Sequence, residues 1–260
     1  ALRTTLSSPI GRGSSGSHVR RLQERLLELK LDPGPIDGEY GSYTMQAVWA
    51  YQKLVLGVSR QQVSEVATDE LWQLLQGELH VQPRRPAGHH SRTSTNHTEV
   101  YLPEQVVVFF QSDAPVLIAH ISSGDDELWR ETVTIDPGQE GNENGTEPKQ
   151  IGYMALAHTP GGVFKYDRFR QGKHESALGG MYDPAYFNFG IAIHGALTVP
   201  SHPASHGCIR INQHLGRIFQ QYIARHDQVF VWNQAGDEPE DATNDYPWNK
   251  LDPDNPVNSS

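Results

Sequence analysis

Apolar side chains recur at helical spacing in three segments of the first eighty residues. The three sets are Val19, Leu22, Leu26 and Leu29; Ala47, Val48, Tyr51 and Leu54; and Leu71, Leu74 and Leu75. This spacing predicts three short amphipathic helices that turn these side chains inward. Ser17 and Thr68 precede two of the runs as N-caps, and the turn at 32–35 ends the first helix. The pattern predicts a small all-α three-helix bundle over residues 16–77, after a flexible lead-in over residues 1–15.

The next segment, residues 78–97, has almost no apolar side chains. Pro, Arg, His, Ser, Thr and Gly dominate it, and such a composition cannot order itself by burial. We therefore expect an exposed, flexible linker. His89 and His90 form a pair that is compatible with metal binding, but a solvated polar linker explains them better.

After this linker the apolar period changes from helical spacing to two, and β-forming residues become frequent. The predicted strands are Glu99–Leu102, Gln105–Gln111, Val116–Ser122, Ile151–Ala157 and Asp227–Trp232. Helical spacing returns only in Asn212–Arg225, which predicts one helix. The pattern therefore predicts a mostly β domain over residues 98–232. Residues 233–260 are acidic and rich in Pro and Asn, and we expect them to form a loosely attached tail.

Composition narrows the range of functions. The chain has 260 residues, which favours two domains, and a formal charge of -10, which disfavours binding to nucleic acid or anionic lipid. Its longest apolar run, Val106–Phe110 with its flanks, is too short to cross a bilayer. The start at Ala1, without a basic and then apolar leader, is consistent with an export signal having been removed or left out of this sequence.

The single cysteine, Cys208, lies in a sequence neighbourhood that suits nucleophilic catalysis. It follows His194 by fourteen residues and has His206 and Arg210 two residues away on either side. A nearby imidazole or guanidinium favours the thiolate, and flanking glycines let backbone N–H groups approach an oxyanion. Two alternatives are a buried core cysteine beside structural histidines, and a zinc site formed by His194, His206 and Cys208.

The helical region also carries a family resemblance. It contains Val19-Arg20-Arg21-Leu22-Gln23, Ile36-Asp37-Gly38-Glu39-Tyr40-Gly41, Thr44, Ala47-Val48 and Tyr51-Gln52. These segments resemble the helical peptidoglycan-binding domain. Where that family usually has a second Gly-rich turn, this chain has residues 61–65, Gln-Gln-Val-Ser-Glu. A generic three-helix bundle remains the alternative interpretation of the same pattern.

The β region contains a more specific set of motifs. These are Phe189-Gly190-Ile191-Ala192-Ile193-His194-Gly195, Ser205-His206-Gly207-Cys208-Ile209-Arg210, Thr159-Pro160-Gly161-Gly162-Val163-Phe164, and the opening hairpin over residues 105–124. Together they resemble the L,D-transpeptidase catalytic domain. The resemblance implies an L,D-transpeptidase-like, mostly β fold after the helical bundle.

The resemblance also implies roles for individual residues. Cys208 would be the nucleophile, and His194 would accept its proton, oriented by the carbonyl of Gly195. His206, Gly207 and the Cys208 amide would shape the oxyanion hole.

Four further residues are expected to bind substrate. Arg210 would hold a substrate carboxylate or favour the thiolate, and Ser205 lies beside it in the motif. Tyr182 and Tyr186 fall where the family often has an aromatic or hydroxyl-bearing lid residue.

The resulting functional expectation is a cysteine-dependent L,D-transpeptidase that forms 3-3 cross-links between peptidoglycan stem peptides through a thioester. Peptidoglycan would be both partner and substrate, at an extracytoplasmic location, with no metal or other cofactor. The alternatives are an L,D-carboxypeptidase on the same stems, attachment of another amine to the wall by the same chemistry, and a non-catalytic peptidoglycan-binding protein. The sequence does not choose the acceptor or the oligomeric state.

Overall fold

The computed structural model describes residues 4–85, 95–139, 141–176, 179–233 and 250–259. The helices in these ranges are α1 Ser17–Glu28, α2 Ser42–Val55, α3 Asp69–Leu75 and α4 Gln213–Gly216, with short 3-10 turns at Phe219–Tyr222 and Pro256–Ser259. The strands are β1 His97–Tyr101, β2 Val106–Gln111, β3 Ala114–His120, β4 Leu128–Ile135, β5 Lys149–Leu156, β6 Gly162–Lys165, β7 Arg168–Phe169, β8 Lys173–Ser176, β9 Gly179–Asn188, β10 Ile191–Ala196, β11 Ile209–Asn212, β12 Gln228–Trp232 and β13 Lys250–Leu251. A helical region followed by a mostly β region is thus confirmed.

The three N-terminal helices form as their apolar spacing predicts. Thr68 caps α3, since its side chain accepts a hydrogen bond from the Leu71 backbone, but α1 begins at Ser17 with Gly16 at the N-cap position. Leu74 is 46% exposed, so its predicted inward position is wrong, and Trp72 fills the core instead. No helix in the described part of the chain is long and apolar enough to cross a bilayer.

The predicted long helix at Asn212–Arg225 is wrong. Only the four residues of α4 and the 3-10 turn Phe219–Tyr222 are helical there. Gly216 lies so close to β10 that an added Cβ would be 2.5 Å from the Cα of Gly195. Tertiary packing at this close approach, rather than local spacing, therefore decides where the helix ends.

Two sheets form the centre of the β region. The first has the order β3-β2-β1-β12-β6, in which β1 and β12 are parallel and the other neighbours antiparallel. The second has the order β11-β10-β9-β7, with β8 also paired to β9. Their apolar faces share one core, which includes Val107 and Phe109 from the first sheet and Ile193 and Ile209 from the second. This packing fixes the second sheet, which carries the motif residues.

The other face of the first sheet packs against the helical bundle. Val106, Val108, Phe110 and Phe230 belong to the same buried cluster as the bundle's leucines and tryptophans. Both faces of β2 are therefore covered, and its first five residues are all buried. The helical bundle and the β region thus share a continuous apolar interface.

The predicted linker contacts the β domain at its described end. The backbone N–H groups of Arg84 and Arg85 donate to the buried carboxylate of Glu99, at 2.8 and 3.0 Å. Burial raises the pKa of Glu99, but hydrogen bonds from His97 and Tyr101, together with those from Arg84 and Arg85, hold it below its usual value. Residues 78–85 are thus attached to β1 rather than freely exposed. His89 and His90 lie outside the described residues.

The end of the chain is also attached. β13 extends the β4–β5 hairpin as a third strand, and Arg130 of β4 forms ion pairs with Asp252 and Asp254, at 2.9 and 3.0 Å. Asn258 exchanges hydrogen bonds with the backbone of Gly152 in β5. The expectation of a loosely attached tail is therefore wrong for residues 250–259, because polar side chains and strand pairing replace apolar burial there.

A buried lysine joins the helical bundle to the β region. The amino group of Lys53 in α2 donates to the carbonyl of Gln105 at 2.7 Å and contacts Nδ1 of His120 at 2.6 Å. The other ring nitrogen of His120 donates to the carbonyl of Pro200 at 2.9 Å. Burial lowers the pKa of Lys53 and, with the Lys53 charge, that of His120. All these polar groups are satisfied only while the two domains are packed together.

We expect Lys53→Ala to destabilise the protein by about 3 kcal/mol, because it removes the buried partner of His120 Nδ1 and one of the donors to the Gln105 carbonyl. Chemical denaturation of the full chain measures this loss. Arg21→Ala is the matched control, since Arg21 is an exposed cation on α1, and it should change stability by about 0.5 kcal/mol or less. Equal stability of the two variants would contradict a structural role for the buried lysine.

Candidate active site

The motif residues meet in one open cleft of about 1010 Å³. Cys208 lies one residue before β11, and His194 of β10 is paired with Arg210 of β11 in parallel register. All three residues line the cleft. The fourteen-residue separation of Cys208 and His194 is therefore closed by strand pairing. The roles given to these residues remain predictions, but the structure does bring them together.

His194 is oriented by its neighbour along the chain. Its Nδ1 donates to the carbonyl of Gly195 at 3.0 Å, and a carbonyl can only accept, so Nδ1 carries the proton and Nε2 is the free acceptor. The ring is 5% exposed. Burial lowers its pKa to about 4, aided by the positive charge of Arg210 and partly opposed by the Gly195 hydrogen bond. At neutral pH this imidazole is uncharged and able to accept a proton.

Cys208 is half-buried, and its thiol lies near the backbone carbonyl of Gly190 at 3.6 Å. Burial raises its pKa, and the backbone of Ala192 and the charge of Arg210 oppose that rise only in part. The resting pair is therefore a neutral thiol and a neutral imidazole, rather than a preformed thiolate and imidazolium. In the roles predicted for these two residues, the sulfur would lose its proton to His194 as it attacks.

Arg210 is also half-buried, and burial lowers its pKa while Cys208 and Asp125 act in the opposite sense. The guanidinium thus supplies a positive charge close to both reacting groups. This arrangement is compatible with either role predicted for it.

The segment before Cys208 is braced by hydroxyl groups. Ser205 Oγ donates to the carbonyl of Cys208 and accepts from the N–H of Gly207 at 3.1 Å. Thr159 Oγ1 donates to the carbonyl of Gly207 at 2.7 Å and accepts from the N–H of Gly124 at 2.9 Å. The hydroxyl hydrogen of Ser205 and the amide of Gly207 are thus already engaged within the protein.

Gly207 is required by its backbone conformation. Its φ is 126°, and a Cβ there would lie 2.8 Å from the carbonyl oxygen of His158. An L side chain would therefore be strained and would clash with backbone. This position explains in physical terms why a glycine directly precedes the cysteine.

His206 points toward the β4–β5 hairpin, a contact that sequence reasoning missed. Its Nε2 lies 3.3 Å from a carboxylate oxygen of Glu131, and its ring meets Trp129 edge-on with centroids 4.9 Å apart. Ile135 and Tyr153 of the same hairpin line the cleft. The hairpin, residues 128–156, therefore forms one wall of the cleft, and we call it the flap. In β4 only Trp129, Val133 and Ile135 are buried, and Glu131 breaks their alternation, so the sequence gives only a weak signal for this strand.

Tyr182 and Tyr186 both line the cleft, and their role as lid or substrate-binding residues stays a prediction. Both lie on β9, where Tyr182 pairs with Gly195 and Tyr186 with Ala192. Tyr186 is 4% exposed, and the guanidinium of Arg168 lies over its ring at 3.9 Å. Sequence reasoning also missed Arg168, which follows the core residue Tyr166 by two positions in a short and weakly patterned strand.

Among residues 4–85, 95–139, 141–176, 179–233 and 250–259, no group of three or more His, Cys, Asp or Glu side chains is arranged to hold a metal ion. Cys208 and His194 nevertheless share the cleft, and His206 turns to the flap. The arrangement as a whole supplies a thiol, an uncharged base, a fixed cation and a braced glycine turn beside the thiol. These are groups on which nucleophilic catalysis by a cysteine would depend, and the role of Cys208 stays a prediction.

Comparison with known protein families identifies the family to which this chain belongs. The L,D-transpeptidase catalytic domain matches residues 95–231, and a peptidoglycan binding domain matches residues 15–54. Since the first match covers more than half of the chain, the chain belongs to the L,D-transpeptidase family. Both family resemblances stated from the sequence are thus confirmed. No curated protein sequence matches at a significant level.

Three of the solved structures that are similar to this chain are L,D-transpeptidases. An L,D-transpeptidase from Xylanimonas cellulosilytica is 28% identical, with 88% of this chain and 100% of that chain covered and a TM-score of 0.68. An L,D-transpeptidase from Stackebrandtia nassauensis is 18% identical, covering 91% and 100%, with a TM-score of 0.43. One from Mycobacterium smegmatis is 11% identical, covering 54% and 59%, with a TM-score of 0.37. The fold of this chain is that of the first of these proteins, including its helical part.

Proposed function

We propose that this protein is an extracytoplasmic enzyme that uses Cys208 to form 3-3 cross-links between peptidoglycan stem peptides. The family assignment supports a peptidoglycan-modifying function of the L,D-transpeptidase type. The observation that carries the cysteine mechanism is the shared cleft of Cys208 and His194, in which the Gly195 carbonyl leaves His194 Nε2 as the acceptor. No metal or other cofactor takes part in this scheme.

In the first half-reaction the thiol proton passes to His194 as the sulfur attacks the donor carbonyl. The Cys208 amide is our proposed oxyanion donor, because Ser205 already accepts the Gly207 N–H. The tetrahedral intermediate collapses to a thioester, and the leaving amine of the terminal residue takes the proton back from His194. Arg210 stabilises negative charge on the sulfur or on a substrate carboxylate in the same step.

In the second half-reaction an amine of a neighbouring stem attacks the thioester. His194 accepts a proton from this amine, and the cysteine leaves as the thiol, so that no proton or electron is gained or lost over the cycle. Water attacking in place of the amine gives the L,D-carboxypeptidase outcome. The helical domain is proposed to hold the enzyme on the wall, which raises the local concentration of stems.

Mass spectrometry of products from a defined disaccharide tetrapeptide tests this proposal. Purified full-length protein should release the terminal residue and yield a dimer joined through the third residues of both stems. A monomeric tripeptide as the only product, even with excess amine acceptor, would assign the carboxypeptidase function. A folded protein that leaves the substrate unchanged would favour the non-catalytic alternative.

A further inference from the structure

One arginine in the cleft has no part in the chemistry described above. The guanidinium of Arg168 lies 3.9 Å from the centre of the Tyr186 ring. It makes no hydrogen bond or ion pair with any residue that the structure describes, although it is exposed and lines the cleft. Its planar donors are thus held in position by a ring face and remain available to a ligand.

Two of the neighbouring basic groups of the cleft are already paired. Lys173 forms an ion pair with Glu175, and His206 lies against Glu131 of the flap. Asp167 borders the same cleft and precedes Arg168, yet it forms no ion pair with it. Arg168 therefore differs from these groups in having a fixed position and an unused set of donors.

Strand pairing places Arg168 relative to the reacting groups. Arg168 of β7 pairs with Tyr186 of β9, Tyr186 pairs with Ala192 of β10, and His194 of β10 pairs with Arg210 of β11. Arg168, Tyr186, His194 and Arg210 all line the same cleft. Neighbouring strands are about 4.8 Å apart, so β7 and β11 are separated by about 14 Å across the sheet. The two arginines thus lie at opposite sides of the histidine.

We propose that Arg168 is a specificity residue that binds a carboxylate of the acyl-donor peptide, at a distance from the carbonyl that Cys208 attacks. Arg168 and Arg210 lie on either side of His194, so this carboxylate belongs to a part of the donor remote from the carbonyl that Cys208 attacks. Arginine suits this task because its planar fork binds a carboxylate through two parallel hydrogen bonds. Stacking on Tyr186 lowers the entropy lost on binding, since the side chain is already ordered.

This assignment rests on the proposed peptide substrate, so its test measures binding rather than turnover. The host is full-length protein carrying Cys208→Ala, which cannot form a thioester. The probes are a tetrapeptide stem with all carboxylates free and a set of peptides in which one carboxylate at a time is an amide. Calorimetry gives the dissociation constant of each peptide with Arg168 present and with Arg168→Gln.

One of the amides should bind about tenfold more weakly than the free peptide when Arg168 is present, and this difference should vanish in Arg168→Gln. Arg168→Lys should keep part of the preference, because it keeps the charge but loses the fork. Arg170→Gln is the matched control, since Arg170 is also exposed but does not line the cleft, and it should change nothing.

The fold is not at risk in Arg168→Gln, because the Arg168 side chain is exposed and makes no hydrogen bond to described residues; an unchanged melting temperature verifies this. An undiminished preference for the free carboxylate in Arg168→Gln overturns the assignment, as does failure of all the peptides to bind. Normal, Arg168-dependent binding by a protein that shows no acyl transfer with Cys208 intact would instead contradict the proposed function alone.

Discussion

Replacing Cys208 by alanine is expected to abolish acyl transfer, with a loss of about a thousandfold or more, because the sulfur forms the covalent bond on which both half-reactions depend. The chain contains one cysteine, so no other thiol can substitute for it. A carbapenem tests the same step directly, since its strained lactam carbonyl presents an electrophile like that of the donor peptide. Intact-mass analysis of the treated wild-type protein should show one covalent adduct, located on the peptide that contains Ser205–Arg210.

Cys208→Ala should show no adduct and an unchanged melting temperature. A chelator should leave the acylation of the wild-type protein unaffected. An adduct that persists in Cys208→Ala, or activity lost to the chelator and restored by zinc, would overturn the cysteine mechanism and favour the zinc alternative. A folded wild-type protein that never forms an adduct would favour a non-catalytic role.

Replacing His194 by glutamine is expected to slow acylation of Cys208 by about a hundredfold or more, because it removes the proton acceptor and keeps the sulfur. The pH profile adds a second readout. A pKa of about 4 in the folded protein keeps His194 uncharged far below the usual histidine range. Acylation by wild-type protein should therefore not lose rate between pH 6.5 and 5 through protonation of this base, and the rate should fall as pH approaches 4. This acid limb should be absent from His194→Gln.

The same lowered pKa has a consequence for stability. Between pH 6.5 and about 4 the unfolded chain binds a proton at this histidine and the folded chain does not, so unfolding becomes easier as pH falls. Through this histidine, the free energy of unfolding at pH 4 is about 3 kcal/mol lower than its value above pH 6.5. Denaturation at several pH values measures it.

His120 of the domain interface also has a lowered pKa and adds to the acid sensitivity of both proteins. The difference between wild-type protein and His194→Gln therefore isolates the contribution of His194. An acid limb of acylation near pH 6.5 would contradict the proposed burial of a neutral base. So would equal acid sensitivity of stability in the two proteins.

Several elements followed from local pattern alone. Helical spacing of leucines predicted α1, α2 and α3, and β-forming runs predicted β1, β2, β3, β5 and β12 within a few residues. The unbroken apolar run Val106–Phe110 also indicates how many faces of its strand are buried. A strand with one solvent-exposed face alternates apolar and polar residues, whereas an unbroken apolar run indicates a strand that is buried on both faces. The structure covers one face of β2 with the second sheet and the other with the helical bundle.

The elements that were missed depend on partners distant in sequence. β4 has three buried residues out of eight and is completed by β5 and the C-terminal β13, so little of its stability is visible in its own pattern. β7 has two residues and exists through its pairing with β9. The helical spacing of Asn212–Arg225 predicted a helix that is too long. The close packing of Gly216 on Gly195 of β10 ends the helix after four residues.

The sequence by itself determined the family, the two kinds of domain, and the residue types available for chemistry, because short motifs and apolar periods are local properties of the chain. Only the tertiary structure decided the protonation states and the surroundings of those residues. Burial at the wall of the cleft sets the pKa of His194, the flap turns His206 toward Glu131, and strand pairing across β7, β9 and β10 brings Arg168 into the cleft. Each of these depends on distances between residues far apart in sequence, and such distances exist only once the chain has packed.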